Sequence, residues 1–262
     1  MTNASDALRD SIARMPDGPP PPAAPYFVQW STTGRHYLGE WVSDLEVTLD
    51  AAASSLDAAR TAGMSTDGAR GLELALWRID SGVDKLVTIL ALTLGSPVLR
   101  LNHARNGVEF RPNPRQVLSR LRDLAITHPD AAHLIAGLEQ LHEHSAGKLR
   151  NDVSHSLSPV GQLTPLSHFA LVYVRTGTAE LPQAHLLYTD SVTLGNDMRP
   201  PAIWIQMVDI ATGALNALLS TAAIAANVIA TAGRLEPPPV VYYDVDSGRA
   251  SLDQVDLTQS RM

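Results

Sequence analysis

One short segment combines side chains that can carry out acid-base and phosphate chemistry. It is Arg150-Asn151-Asp152-Val153-Ser154-His155, which the spacing of apolar residues places in the last turns of a helix. Asn151 and His155 are four residues apart and share a helical face, which the long Arg150 side chain can also reach. A histidine can take the proton from a ribose 2′-hydroxyl, and a guanidinium can stabilise charge on a pentavalent phosphate. The segment therefore suits RNA cleavage that requires no metal ion and no cofactor.

This segment resembles the hallmark of the HEPN domain superfamily: an arginine, four to six further residues and then a histidine, often with asparagine directly after the arginine. The resemblance implies catalytic roles for Arg150, Asn151 and His155, with His155 as general base and acid and Arg150 stabilising the phosphorane. It also implies a homodimer whose two motifs form one composite cleft for RNA, and cleavage that leaves a cyclic phosphate. A toxin or defence role would follow, with an antitoxin or another defence protein as partner.

Two other interpretations of the segment stay open at this point. Many HEPN-like domains are non-catalytic and serve as RNA-binding or dimerisation modules. Alternatively, Arg150 and Asp152 face solvent, Asn151 ends the helix, and His155 hydrogen-bonds a carbonyl at the helix C-terminus. A small-ligand sensor built inside a helical bundle is a third class, for which the sequence names no ligand.

Basic side chains near the motif are candidates for contacts with RNA. Six arginines and one acid lie between Arg100 and Arg122, in contrast to the net charge of −7 of the whole chain, which argues against general attraction to phosphate. This stretch is either a phosphate-binding surface or a solvated connector. The predicted substrate-binding residues are His144 and Lys148, which share the helical face of the motif, and Arg111, Arg115 and Arg122.

Polar residues on a preceding helix also bear on the motif. Asp80 and Asp84 interrupt a regular apolar pattern, and either could orient Arg150 or form an ordinary surface ion pair. The four tryptophans are most simply core or interface anchors, and no aromatic ladder for stacking bases is evident. No metal site is expected at His142 and His144, because residues two apart on a helix point away from each other.

Apolar periodicity predicts a mainly all-α protein: an up-and-down bundle of four long helices, at about 36–62, 68–94, 131–154 and 202–232. A short basic helix is expected at about 113–126, with Pro114 in its first turn. Thr66 and Asp67 are the expected caps of the second long helix. Two strand-like runs predict a small β-hairpin insertion at about 169–189.

Three regions are expected along the chain. Residues 1–25 form a flexible Pro-rich N-terminal arm, of which 1–15 could be a short helix, and residues 26–233 form the HEPN-like bundle. Residues 234–262 form an extended tail with a strand-like 240–243. Absence of cysteine excludes thiolate chemistry.

The remaining expectations concern location. Residues 1–15 lack the apolar core of a secretory signal, which favours a cytoplasmic protein. The uncharged stretch 210–233 is rich in small residues, which favours a buried bundle helix over a membrane span.

Overall fold

The protein is mainly α-helical in the part of the chain that the structure describes. This computed structural model describes residues 2–17, 30–63, 65–96, 99–102, 107–110, 112–143, 146–147, 150, 200–235, 240–244 and 249–253. Its helices are α1 (Thr2–Arg14), α2 (Trp30–Ala62), α3 (Thr66–Thr93), α4 (Pro114–Ala125), α5 (Pro129–Glu143) and α6 (Pro200–Ala232). Its strands are β1 (Leu99–Asn102), β2 (Gly107–Phe110), β3 (Val240–Asp244) and β4 (Arg249–Asp253).

The residues group into two compact units, each built from three stretches of the chain. The first unit contains Met1–Ser5, Ser43–Asp84 and Ala136–Ala223, and the second contains Asp6–Val42, Lys85–Ile135 and Ile224–Met262. Helices α1, α2, α3, α5 and α6 contribute residues to both units.

The first unit is organised by the apolar stripes of α2 and α3. The predicted stripe residues Leu45 and Leu56 on α2 and Leu72 and Leu76 on α3 are buried. Each buried leucine contributes about 1.5–3 kcal/mol relative to an exposed one, so these stripes stabilise the unit. The helices approach closely at Gly71, where a Cβ would lie 3.0 Å from the carbonyl oxygen of Ser55.

The turn between α2 and α3 shows why the chain reverses at this point. Gly63 has a φ of +58° and its N–H donates to the carbonyl of Ala59 at 3.1 Å, which ends α2 with the left-handed residue that glycine tolerates best. The hydroxyl of Ser65 accepts from the N–H of Gly68 at 3.1 Å and caps α3. The cap is therefore Ser65, and the sequence-based choice of Thr66 and Asp67 was wrong by one or two residues.

In the second unit, α1 is a packed helix. Leu8, Ile12 and Met15 are almost completely buried, since their apolar face repeats every three to four residues. The N–H of Leu235 donates to the carbonyl of Pro16 at 3.1 Å, and Arg35 donates to the carbonyl of Met15 at 2.7 Å. The described part of the region expected to be a flexible arm, residues 2–17, is thus helical and packed.

The second unit also contains α4 and the four strands. Asn113 caps α4 by accepting from the N–H of Arg115 at 3.1 Å, and Pro114 occupies the first turn, as the sequence predicts. Strands β1 and β2 pair antiparallel, and so do β3 and β4; β4 also contacts both β1 and β2. The predicted hairpin at 169–189 lies outside the described residues, and the β1–β2 hairpin was not expected.

Helix α6 contains the segment Met207–Ala232, which is long and apolar enough to cross a membrane by length and composition alone. Half of the residues in its most apolar window are buried. They include Leu218, Ala222, Ala225 and Ile229, which belong to the stripe that the sequence predicts for this helix. A core helix passes the same length and composition test, so this finding is weak evidence for a membrane span.

Candidate functional site

Arg150 is the one residue of the predicted catalytic trio that lies in the described part of the chain. Ala146, Gly147 and Arg150 are helical and follow α5, in agreement with the predicted helix that carries the motif. Asn151 and His155 lie outside the described residues. The geometry of the site is therefore the geometry of the Arg150 guanidinium and of the side chains that hold it.

Helix α3 supplies two side chains that contact Arg150. The guanidinium Nη1 donates to Oδ2 of Asp80 and forms an ion pair with it. The guanidinium carbon lies over the ring of Trp77, 5.0 Å from the ring centroid, which is a cation–π geometry. Trp77 and Asp80 are three residues apart, so they lie on the same face of α3. Arg150 is thus held from two directions by one helical turn.

The ion pair is only partly removed from water. The Arg150 side chain is 20% exposed and the Asp80 side chain is 43% exposed. Partly solvated pairs contribute about 0–1 kcal/mol to stability, and a cation–π contact at an exposed site about 0.5–1 kcal/mol. These contacts contribute little to the fold compared with the buried leucines of α2 and α3. Their main effect is to fix the position of a permanently charged group.

A second carboxylate, Asp84, lies one turn further along α3. Burial raises the pKa of Asp84 above its ordinary value, and the nearby negative charge of Asp80 raises it further. The positive charge of Arg150 acts in the opposite direction but does not cancel the increase in pKa. The surface around Arg150 is therefore acidic as well as basic, because two carboxylates lie within reach of a single guanidinium.

The sequence left open whether Asp80 or Asp84 would orient Arg150 or merely form a surface ion pair. The structure shows a direct contact between Arg150 and Asp80. The Arg150–Asp80 contact has the small energy of a surface ion pair, and its geometry also orients the guanidinium.

Trp77 was not expected to take part in the site. The sequence suggested core or interface anchors; Trp77 is 49% exposed and is therefore not a core residue, whereas Trp204 is buried. The position of Trp77 on the helix already indicates that it is not a core residue. The buried residues Leu72, Ala75, Leu76 and Ile79 define the core face of α3, whereas Trp77 and Leu74 lie on the opposite side of the helix, and both are about half exposed.

Of the five residues predicted to contact RNA, two lie in the described part of the chain. Arg115 and Arg122 are exposed on α4 in the second unit, whereas Arg150 belongs to the first unit. Arg120 donates to the carbonyl of Leu94 at 3.3 Å, so this member of the basic stretch helps to cap α3. The other predicted contacts, His144, Lys148 and Arg111, lie outside the described residues.

The candidate site thus consists of Arg150, Asp80, Trp77 and Asp84, with the rest of the motif known from sequence alone. Among the residues that the structure describes, no group of three or more histidine, aspartate or glutamate side chains is arranged to hold a metal ion. Arg150 and its neighbours can bind and orient a phosphate group, because a guanidinium presents several N–H donors in one plane. Comparisons with models of protein families, with curated proteins and with solved structures find no match to this chain.

Proposed function

We propose that this chain is a HEPN-like, metal-independent endoribonuclease of the toxin or defence kind. The observation that carries the proposal is the Arg150 guanidinium, which is fixed by Asp80 and Trp77 and still partly exposed. Two further features support it: the chain is mainly helical, and the sequence Arg150-Asn151-xxx-His155 has the spacing of the family motif. The finer architecture in this proposal is a bundle of four long helices.

The proposed reaction is an internal transesterification of RNA. His155 takes the proton from the ribose 2′-hydroxyl, whose oxygen attacks the adjacent phosphorus. The bond from phosphorus to the 5′-oxygen of the next nucleotide breaks, and that oxygen receives a proton from a histidine acting as acid. Arg150 stabilises the negative charge of the phosphorane, and Asn151 orients groups at the helix end. The products are a 2′,3′-cyclic phosphate and a 5′-hydroxyl.

The proposed enzyme is a homodimer in the cytoplasm. In HEPN-like enzymes the motifs of two subunits face each other, so this proposal requires that one subunit alone be inactive. His144, Lys148, Arg111, Arg115 and Arg122 are the proposed contacts to RNA outside the catalytic trio. An antitoxin or another component of a defence system is the proposed partner.

One observation favours a second candidate, a non-catalytic RNA-binding or dimerisation module. The carboxylate of Asp80 already compensates the charge of Arg150, so a phosphate must share or displace that contact. In the catalytic proposal, Asp80 positions the guanidinium, and the phosphate binds to the same charged group. In the module proposal, the Asp80 contact only secures the helix that carries Arg150 to α3.

The test is cleavage of RNA by the purified full-length protein in the presence of a chelator. We expect cleavage that yields cyclic phosphate ends and that is abolished by His155→Ala. The matched control is His133→Ala, since His133 is an exposed histidine on α5. For the guanidinium, Arg150→Gln is compared with Arg70→Gln, an exposed arginine on α3. Removing a group that stabilises transition-state charge typically lowers kcat by about 10²- to 10³-fold.

Two results would contradict the catalytic proposal. Cleavage retained by His155→Ala would remove this histidine from the mechanism. Absence of cleavage in every condition, together with specific RNA binding or dimerisation, would establish the module instead.

A further inference from the structure

Trp77 presents an aromatic surface beside the guanidinium that the proposed function uses. Arg150 lies over its ring, and 49% of the residue is nevertheless exposed. A tryptophan covered by a guanidinium on one side and by protein on the other would be largely buried. The exposure therefore indicates that part of the ring not covered by Arg150 is open to solvent.

We infer that Trp77 is a stacking platform for one unpaired RNA base next to the phosphate that Arg150 contacts. This inference rests on the proposed function, because it uses Arg150 as the phosphate-binding group. The guanidinium carbon and the ring centroid are 5.0 Å apart, which is less than the span of a nucleotide. One nucleotide, or two adjacent ones, can therefore contact both groups at the same time.

The chemistry of the surroundings favours a nucleotide over an apolar protein surface. The ring of Trp77 lies beside Arg150, whose ion-pair partner Asp80 is a partly exposed carboxylate, and aspartate is depleted in protein interfaces. A nucleotide offers both complements at once: a π-face for the ring and a phosphate for the guanidinium. The base must be unpaired, because side chains reach the faces of bases in single strands and loops but not inside a duplex.

The platform would tolerate any base, since every base has a π-face. It would help to select single-stranded regions, because a duplex does not offer an unstacked base. The four tryptophans do not need to form a ladder for this role, as a single ring beside the reactive phosphate is sufficient to place one nucleotide.

The experiment measures binding of short single-stranded oligoribonucleotides to the full-length His155→Ala protein by fluorescence anisotropy. A single abasic ribose is moved through the oligonucleotide, so that each base is removed in turn. With Trp77 present, we expect one abasic position to weaken binding by about 5- to 150-fold, the usual range for loss of a stacked base. The Trp77→Leu protein should bind the intact oligonucleotide more weakly by the same factor. The abasic ribose at that position should then cause no further loss of affinity.

Two control variants separate stacking from other effects. Trp77→Phe keeps an aromatic ring and should retain most of the position-specific loss. Leu74→Ala changes the neighbouring exposed apolar residue of α3 and should leave the abasic profile unchanged.

Three outcomes would overturn the inference. An abasic profile that is the same in Trp77→Leu as in the protein with Trp77 would show that no base stacks there. If Trp77→Leu weakens the binding of every oligonucleotide by the same factor, whether it is abasic or intact, Trp77 acts through Arg150 and not by stacking on a base. Conversion of a dimer to a monomer by Trp77→Leu in analytical ultracentrifugation, with the abasic profile unchanged, would assign the ring to a contact between copies of this chain.

The proposed function is judged separately, by cleavage in chelator. If the protein cleaves RNA and Trp77→Leu leaves its abasic profile unchanged, the stacking inference fails and the enzyme proposal stands. If the protein neither binds nor cleaves RNA, both fail.

Discussion

Replacing Asp80 by asparagine should release the guanidinium of Arg150 while leaving the fold almost as stable. Asparagine keeps the size of the side chain and removes its charge. The ion pair is 43% exposed on the Asp80 side and 20% on the Arg150 side, so it is worth about 1 kcal/mol or less. The variant also removes the charge that raises the pKa of Asp84, which offsets part of that loss. We therefore expect Asp80→Asn to lower the free energy of unfolding by no more than about 1 kcal/mol.

The assay is a double-mutant cycle of Asp80→Asn and Arg150→Gln, with urea unfolding followed by circular dichroism. The coupling energy between the two changes isolates the ion pair from their separate effects. Asp67 and Arg70 provide the control on the same helix, since their charged atoms are 3.8 Å apart and both side chains are highly exposed. The coupling in that control pair should be close to zero.

The same variants also separate a positioning role from a purely structural one. If Asp80 aims Arg150 at phosphate, Asp80→Asn should lower kcat by up to about 100-fold, because a misplacement of about 1 Å can have that effect. A coupling energy of about 3–5 kcal/mol, typical of buried ion pairs, would instead show that the contact holds the fold together. Unchanged kcat in Asp80→Asn would refute the positioning argument directly.

Two further predictions concern stability. Asp84→Asn should raise the free energy of unfolding at neutral pH, because a raised pKa means that the folded protein disfavours the charged form of Asp84. This gain should disappear as the pH falls below 3.8, the ordinary pKa of the group, because the carboxyl is then protonated in both the folded and the unfolded protein. The measurement is urea unfolding at several pH values, and a gain in stability that does not change with pH would contradict the prediction. Gly68→Ala should destabilise the protein by more than about 1 kcal/mol, because a Cβ there would lie 1.9 Å from the carbonyl oxygen of Gly63. Gly39→Ala in α2, where a Cβ meets nothing within 4 Å, should instead stabilise it by up to about 1 kcal/mol, and equal melting temperatures for the two variants would refute the argument.

The helical elements were predictable because their signals are local. The stripes of α2 and α3 repeat every three to four residues, and the buried leucines fall where this period places them. Asn113 and Pro114 mark the start of α4 through their own backbone preferences. The packing of α1 was not predictable in the same way. Pro16, just after α1, accepts a hydrogen bond from Leu235, which is remote in sequence, so no local pattern distinguishes a docked helix from a loose one.

The site was predictable in its residue types but not in its contacts. Arg150 could be named from the spacing Arg150-Asn151-xxx-His155, and the two aspartates could be named because they interrupt an apolar pattern. The choice between Asp80 and Asp84 depends on side-chain reach across two helices, which sequence spacing does not give. Trp77 was assigned to the core or an interface because tryptophan is usually buried, although its position opposite the core face of α3 was visible in the sequence.

The contact between the end of α1 and Leu235 also affects how the chain is made. The N–H of Leu235 donates to the carbonyl of Pro16, and a Cβ at Gly233 would lie 2.8 Å from the sulfur of Met15, so the residues that follow α1 contact residues translated more than two hundred positions later. At ribosomal speeds, that interval is roughly 10–40 s. During this time Met15 lacks part of its final burial. A nascent chain of this protein therefore exposes apolar surface next to α1 until Gly233 and Leu235 emerge, and chaperones that bind apolar segments can act in that period.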